Sequence, residues 1–201
     1  MVSILTGDVV HSRKISQDVL VKTLTEALGQ FGKSPKTWEI YRGDSFQLEV
    51  EPTNALEAAI YIKSALRKLD KNLDARISIG IGDKSFEYKT VSMSNGSAFI
   101  NSGESFENLK KQTLAIKTPW QEFDKTMTVI LALIAFQIEN WNANLAYTVF
   151  LTLQNPHLSQ TELALKTTKQ QSQISRELKK AGFEEILKAI QFYKSKISDL
   201  C

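Results

Sequence analysis

The sequence predicts an α+β protein in two parts, and three observations carry that expectation. Strand-like and helix-like segments alternate through the first part of the chain. Every segment after Thr118-Pro119-Trp120 has helical periodicity. The composition of the 201 residues, 42% hydrophobic and 23% charged with nine Gly and four Pro, is that of a globular chain, which excludes a disordered or fibrous one. Proline at 119 disfavours helix at Thr118 and can itself open a helix. The boundary therefore falls between a 1–118 domain and a 119–201 domain.

In the first part, Val2–Val10 is apolar and β-branched and runs into the polar His11-Ser12-Arg13-Lys14, as a buried strand does. Leu20, Leu24, Leu28 and Phe31 recur at spacings of four, four and three, the stripe of an amphipathic helix. Trp38–Tyr41 and Phe46–Val50 read as strands joined into a hairpin through Arg42-Gly43-Asp44-Ser45, with Gly43 supplying the turn. Thr53 is placed to cap a second helix with Ala59, Ile62, Leu66 and Leu69 on its apolar face, and Ala75–Gly82 (ARISIGIG) alternates like a strand. The order β-α-β-β-α-β is that of a ferredoxin-like split βαβ sheet, whose third strand lies antiparallel between the first and second. In such a sheet the end of the first strand and the hairpin turn share one edge, so Asp8 comes near Asp44.

Two carboxylates so placed can bind Mg²⁺ while leaving positions for water and substrate phosphates. With two ions they can stabilise both oxygens of a phosphoryl or nucleotidyl transfer. The loop that opens the first helix, with Ser12, Arg13 and Lys14, offers backbone N–H groups and positive charge to a nucleotide phosphate. Competing motifs fail. Gly80-Ile81-Gly82-Asp83-Lys84-Ser85 lacks the spacing of a phosphate-binding P-loop, His11 and His157 are isolated, and no basic residues interleave Trp38, Trp120 and Trp141 in a repeating pattern.

Thr6-Gly7-Asp8-Val9-Val10, Gly43-Asp44-Ser45-Phe46-Gln47, Arg76-Ile77-Ser78-Ile79-Gly80-Ile81-Gly82 and Gly96-Ser97-Ala98-Phe99 occur in an order that resembles SatD-like bacterial proteins. Their N-terminal domain is similar to the palm of class III nucleotidyl cyclases and diguanylate cyclases, and the likeness covers roughly residues 1 to 117, with a helical continuation. It implies metal-ligand roles for Asp8 and Asp44, a backbone-carbonyl role for Val9, and nucleotide contacts from Gly43 and Asn101. Two departures stand out: Ser45 occupies a position that is often acidic in related hairpins, and no arginine follows Gly96 in Asn101-Ser102-Gly103-Glu104-Ser105. A developing negative charge there lacks its cation, so binding is expected ahead of turnover.

In the second part, the longest apolar run, Met127–Ile138, is too short to cross a bilayer, is flanked by Asp124, Lys125 and Glu139, and reads as a buried helix. Ser159 with Glu162 has capping-box spacing, and Thr168 with Gln171 repeats it, which predicts two short helices at a tight turn. The second, from Lys169 to Ala181, buries Ile174, Leu178 and Ala181. This is a helix-turn-helix pattern whose second helix offers Lys169, Gln170, Gln171, Ser172, Gln173, Ser175, Arg176, Lys179 and Lys180 to a major groove. A final amphipathic helix follows, with Phe183, Ile186, Leu187, Ile190, Tyr193 and Ile197 on its packing face.

Charge agrees locally. The whole chain carries 25 basic and 22 acidic residues, an excess of +3 and too little for a nucleic-acid coat protein. Leu163 to Lys196, however, holds eight basic residues against three acidic ones. The single cysteine, Cys201, excludes an intrachain disulfide, and Met1–Val10 lacks the features of a signal peptide, so a cytoplasmic protein without a membrane partner is expected. The function expected is a regulator that binds duplex DNA and senses a nucleotide with Mg²⁺, with Thr118-Pro119-Trp120 as its hinge. The alternative is an active nucleotidyl cyclase or transferase, in which a homodimer supplies missing groups across its interface.

Overall fold

The computed structural model describes residues 1–201 as an α+β fold with one five-stranded mixed sheet and eight α-helices. The first part runs β1 (Val2–Val10), α1 (Gln17–Gly29), β2 (Trp38–Tyr41), β3 (Ser45–Val50), α2 (Ala55–Arg67), β4 (Asp74–Gly82), α3 (Ser97–Glu107) and β5 (Leu114–Lys117). The sheet order is β2-β3-β1-β4-β5. β3 lies between β1 and β2 and is antiparallel to both, β4 is antiparallel to β1, and β5 is parallel to β4.

The helices take their places from their apolar faces. Leu20, Leu24 and Leu28 of α1 are fully buried, and Phe31, just past the helix end, meets the edge of Tyr61 at 5.7 Å between ring centroids. Every residue of α2 except Glu57 is buried. The chain enters α2 through a 3₁₀ turn, Pro52–Asn54, without the side-chain cap expected of Thr53, and Leu69 lies exposed beyond its end. β4 is covered on both faces because its glycines let α3 approach closely. A Cβ on Gly80 would stand 2.2 Å from the Ser102 backbone N, and one on Gly82 would stand 2.4 Å from Ser97 Oγ. Ser102 Oγ, beneath α3, donates to Thr6 Oγ1 at 2.7 Å.

The second part is α4 (Gln121–Glu139), α5 (Ala143–Gln154), α6 (Gln160–Leu165), α7 (Gln171–Lys180) and α8 (Phe183–Leu200). Thr118 marks a change of element type inside a continuous core, since one cluster of 44 buried residues runs from Leu5 to Ile197. Tyr61 stacks on Phe150 at 4.9 Å, and the buried Tyr193 hydroxyl donates to Pro52 O at 2.7 Å. Arg67 donates to Glu139 O at 2.7 Å and Trp141 O at 3.0 Å, closing the carboxyl end of α4 from the far side of the boundary. The expected hinge is correspondingly pinned: Thr118 donates its N–H and its hydroxyl to the two oxygens of Asp124 at 3.0 and 2.7 Å.

The apolar run in α4 is only half buried, which corrects its reading as a buried helix. Phe123, Met127, Leu131, Ile134 and Ile138 face the core, whereas Val129, Leu133 and Phe136 are 62, 65 and 66% exposed. No helix is long and apolar enough to cross a membrane.

Candidate functional site

The edge formed by the end of β1 and the β2–β3 turn gathers most of the predicted ligand residues. Asp8 pairs with Ser45 in the β1–β3 register, and the Val9 N–H donates to Asp44 O at 2.9 Å, so the two aspartates are brought together as the strand order requires. Arg42 and Gly43 both adopt left-handed φ, 55° and 83°, in the turn. Gln17 Nε2 donates to Gly43 O at 2.8 Å and ties the start of α1 to the hairpin. Ser12 Oγ donates to Asp44 Oδ2 at 2.9 Å, and Arg13 and Lys14 stand exposed beside it on the 3₁₀ turn Ser12–Lys14.

Asp8 has a partner that sequence reasoning missed. Arg76 stands opposite it in the β1–β4 register and grips its carboxylate with two donors, Nε to Oδ1 at 2.9 Å and Nη2 to Oδ2. The hydrogen bond to Asp8 holds the guanidinium pKa above its ordinary value. The Arg76 guanidinium also lies 5.5 Å from the centroid of the Phe106 ring. An opposite charge opening the ARISIGIG segment was the available signal, but only the strand register turns it into a pair.

This arrangement does not fit a resident Mg²⁺ at Asp8, Val9 and Asp44. Magnesium needs free oxygen ligands in near-octahedral geometry. Both Asp8 oxygens are taken by a cation, and Asp44 Oδ2 accepts from Ser12.

Asn101 is not part of this edge. Its Nδ2 donates to Ile81 O at 2.8 Å, five residues along β4 from Arg76. At a strand rise of about 3.3 Å per residue the two positions are roughly 16 Å apart. The amide secures α3 to β4.

The second candidate is the α6–α7 pair. The Ser159–Glu162 capping box forms as expected. The second box does not: α7 opens at Gln171, with Gln170 as a cap residue making no side-chain bond. α7 buries Ile174 and Leu178, with Ala181 buried just beyond its end. Gln170, Gln171, Ser172, Gln173, Arg176, Lys179 and Lys180 are exposed, and Ser175 is half-buried.

Lys169 is the exception among the predicted DNA-contacting residues, because it points inward. Its ammonium donates to Glu177 Oε2 at 2.6 Å and Thr148 Oγ1 at 2.8 Å, and its side chain is only 12% exposed. Thr148 also donates to Glu177, so this trio fastens α7 to α5. Burial pushes the Glu177 carboxyl up, but hydrogen bonds from Lys169, Thr148 and Gln173 outweigh it and hold the group below the usual glutamate range.

No protein-family model, curated protein or solved structure matches this chain.

Proposed function

We propose that this protein is a duplex-DNA-binding regulator in which α6 and α7 form a helix-turn-helix and α7 enters the major groove. The observation that carries the reading is α7 itself: of its ten residues only Ile174 and Leu178 are buried, and its open face is amide, hydroxyl and basic. Glutamines and an arginine suit base edges and lysines suit phosphates. The Lys169–Glu177–Thr148 fastening to α5 holds the helix at a fixed angle, as groove insertion demands.

The sheet is read as the sensing part. The order β2-β3-β1-β4 supports a ferredoxin-like arrangement, extended by β5 and akin to a cyclase palm, as the SatD-like resemblance implies. At its edge, Arg13 and Lys14 offer positive charge to nucleotide phosphates, and Ser12 of the same 3₁₀ turn bonds Asp44 in the hairpin turn that holds Gly43. The ion pair at Asp8 favours binding over the two-metal transfer of the enzyme alternative.

The test is fluorescence anisotropy of labelled duplexes across a salt series. Arg176→Ala and Lys179→Ala are each expected to lower affinity and to reduce the log–log salt slope by about one. Unchanged affinity and slope in both variants would refute the groove-binding reading.

A further inference from the structure

We propose that the exposed ridge of α4 is a self-association surface, on which a second copy of this chain packs its own α4 antiparallel about a two-fold axis. Val129, Leu133 and Phe136 fall at spacings of four and three, so they share one face of the helix, and Ala132 lies beside them. Side chains as apolar as these, each more than 60% exposed, are costly to leave in water as a contiguous stripe. The ridge stands clear of its surroundings. On one side is a hollow of about 800 Å³ toward Asn72 and Gln112, and on the other is one of about 600 Å³ toward α7 and α8, with Phe136 bordering both.

The occupant follows from the order of residues along the helix. A two-fold contact is isologous, so each residue must meet the one equally far on the other side of the axis. With the axis between Ala132 and Leu133, Val129 meets Phe136 of the second copy and Ala132 meets its Leu133, in each case a small side chain against a large one. Lys125 and Glu139 lie on the same side of that face and almost equally far from its centre, so each end of the contact brings a lysine of one copy to a glutamate of the other. Lys125 is paired within the chain only to the exposed Glu122, a surface pair that costs little to exchange. Charge complementarity at both ends and large-against-small packing at the centre favour a second copy over an unrelated partner.

The test is sedimentation of the full chain over a concentration series reaching about 100 µM, a range that detects micromolar association. The expected mass is twice 22.6 kDa at the upper end. Leu133→Asp is expected to give a monomer with unchanged far-UV circular dichroism, since residue 133 makes no part of the core. Lys125→Glu and Glu139→Lys are each expected to weaken association roughly threefold to tenfold, and the double exchange is expected to restore it. A monomer throughout the range, a dimer indifferent to Leu133→Asp, or a double exchange that fails to recover would each overturn the proposal. These outcomes read association alone, so they leave the DNA-binding reading of α7 to its own experiment.

Discussion

Arg76 stands directly across the β1–β4 pair from Asp8 and closes both of its carboxylate oxygens with two N–H groups. A carboxylate that reads as a metal ligand in the sequence is thereby half of an ion pair in the fold. The chemistry of the edge changes with it, from a site that gathers cations to one that already holds its own.

The first prediction concerns that pair. The wild-type protein is expected to show no Mg²⁺ binding by calorimetry in the absence of nucleotide. Arg76→Ala, which frees Asp8 beside Asp44, is expected to create weak Mg²⁺ binding at a cost in stability of about 1 kcal/mol or less, because the pair is partly exposed. Wild-type binding of Mg²⁺ that Asp8→Asn abolishes would return the edge to the metal-centre reading.

Nucleotide binding at the same edge is expected to persist in EDTA and to depend on the exposed turn. Arg13→Ala and Lys14→Ala should each weaken ATP or GTP binding about tenfold or more, the worth of one charge-assisted hydrogen bond to phosphate. Asn101→Ala is expected to leave nucleotide affinity unchanged and to lower thermal stability only, through loss of its bond to Ile81 O. Thermal shift and isothermal titration separate the two effects, and equal nucleotide affinity in all three variants would remove the turn from the site.

Glu177 gives a pH signature. Its folded-state pKa lies below the ordinary value, so its contribution to stability is fully present above the unfolded pKa and is lost as the pH falls through the folded one, below about pH 4.5. Glu177→Gln should therefore be less stable than wild type at neutral pH and should converge with it in acid. Lys169→Ala should likewise lower stability, by about 1 to 2 kcal/mol, without reducing the salt slope of DNA binding as Arg176→Ala does. Urea melts from pH 7 down to below the folded pKa check the first claim, and the salt series checks the second.

Two glycines near α3 should respond in opposite ways. Gly80→Ala drives a methyl group into the Ser102 backbone and is expected to cost about 1 to 3 kcal/mol by overpacking. Gly103→Ala sits within α3 with nothing within 4 Å of the added carbon, and is expected to stabilise by roughly 0.5 to 1 kcal/mol through helix propensity. Chemical denaturation reads both, and destabilisation of similar size in the two variants would contradict the close approach of α3 to β4.

Local chemistry was enough for many of the elements. The stripe Leu20, Leu24, Leu28 announced α1, the alternation through ARISIGIG announced β4, and Ser159 with Glu162 announced the start of α6, because each signal lies within one turn or one strand. Even the approach of Asp44 to the end of β1 followed from element order, since strand pairing leaves few choices of edge. What surrounds a side chain was not legible in this way. Arg76 lies 68 residues from Asp8, Glu177 lies 29 from Thr148, and Asn101 lies 20 from the carbonyl it binds. The sequence by itself determined β1 to β4 with α1 and α2, the capped start of α6 and the apolar faces of α1 and α7, because periodicity and capping act over a few residues, whereas β5 and α5 were not foreseen. Only the tertiary structure decided that Asp8 is neutralised, that Lys169 turns inward, and that α4 keeps an apolar ridge in solvent. Charge pairing and burial depend on distances between residues far apart in the chain, and packing alone sets those distances.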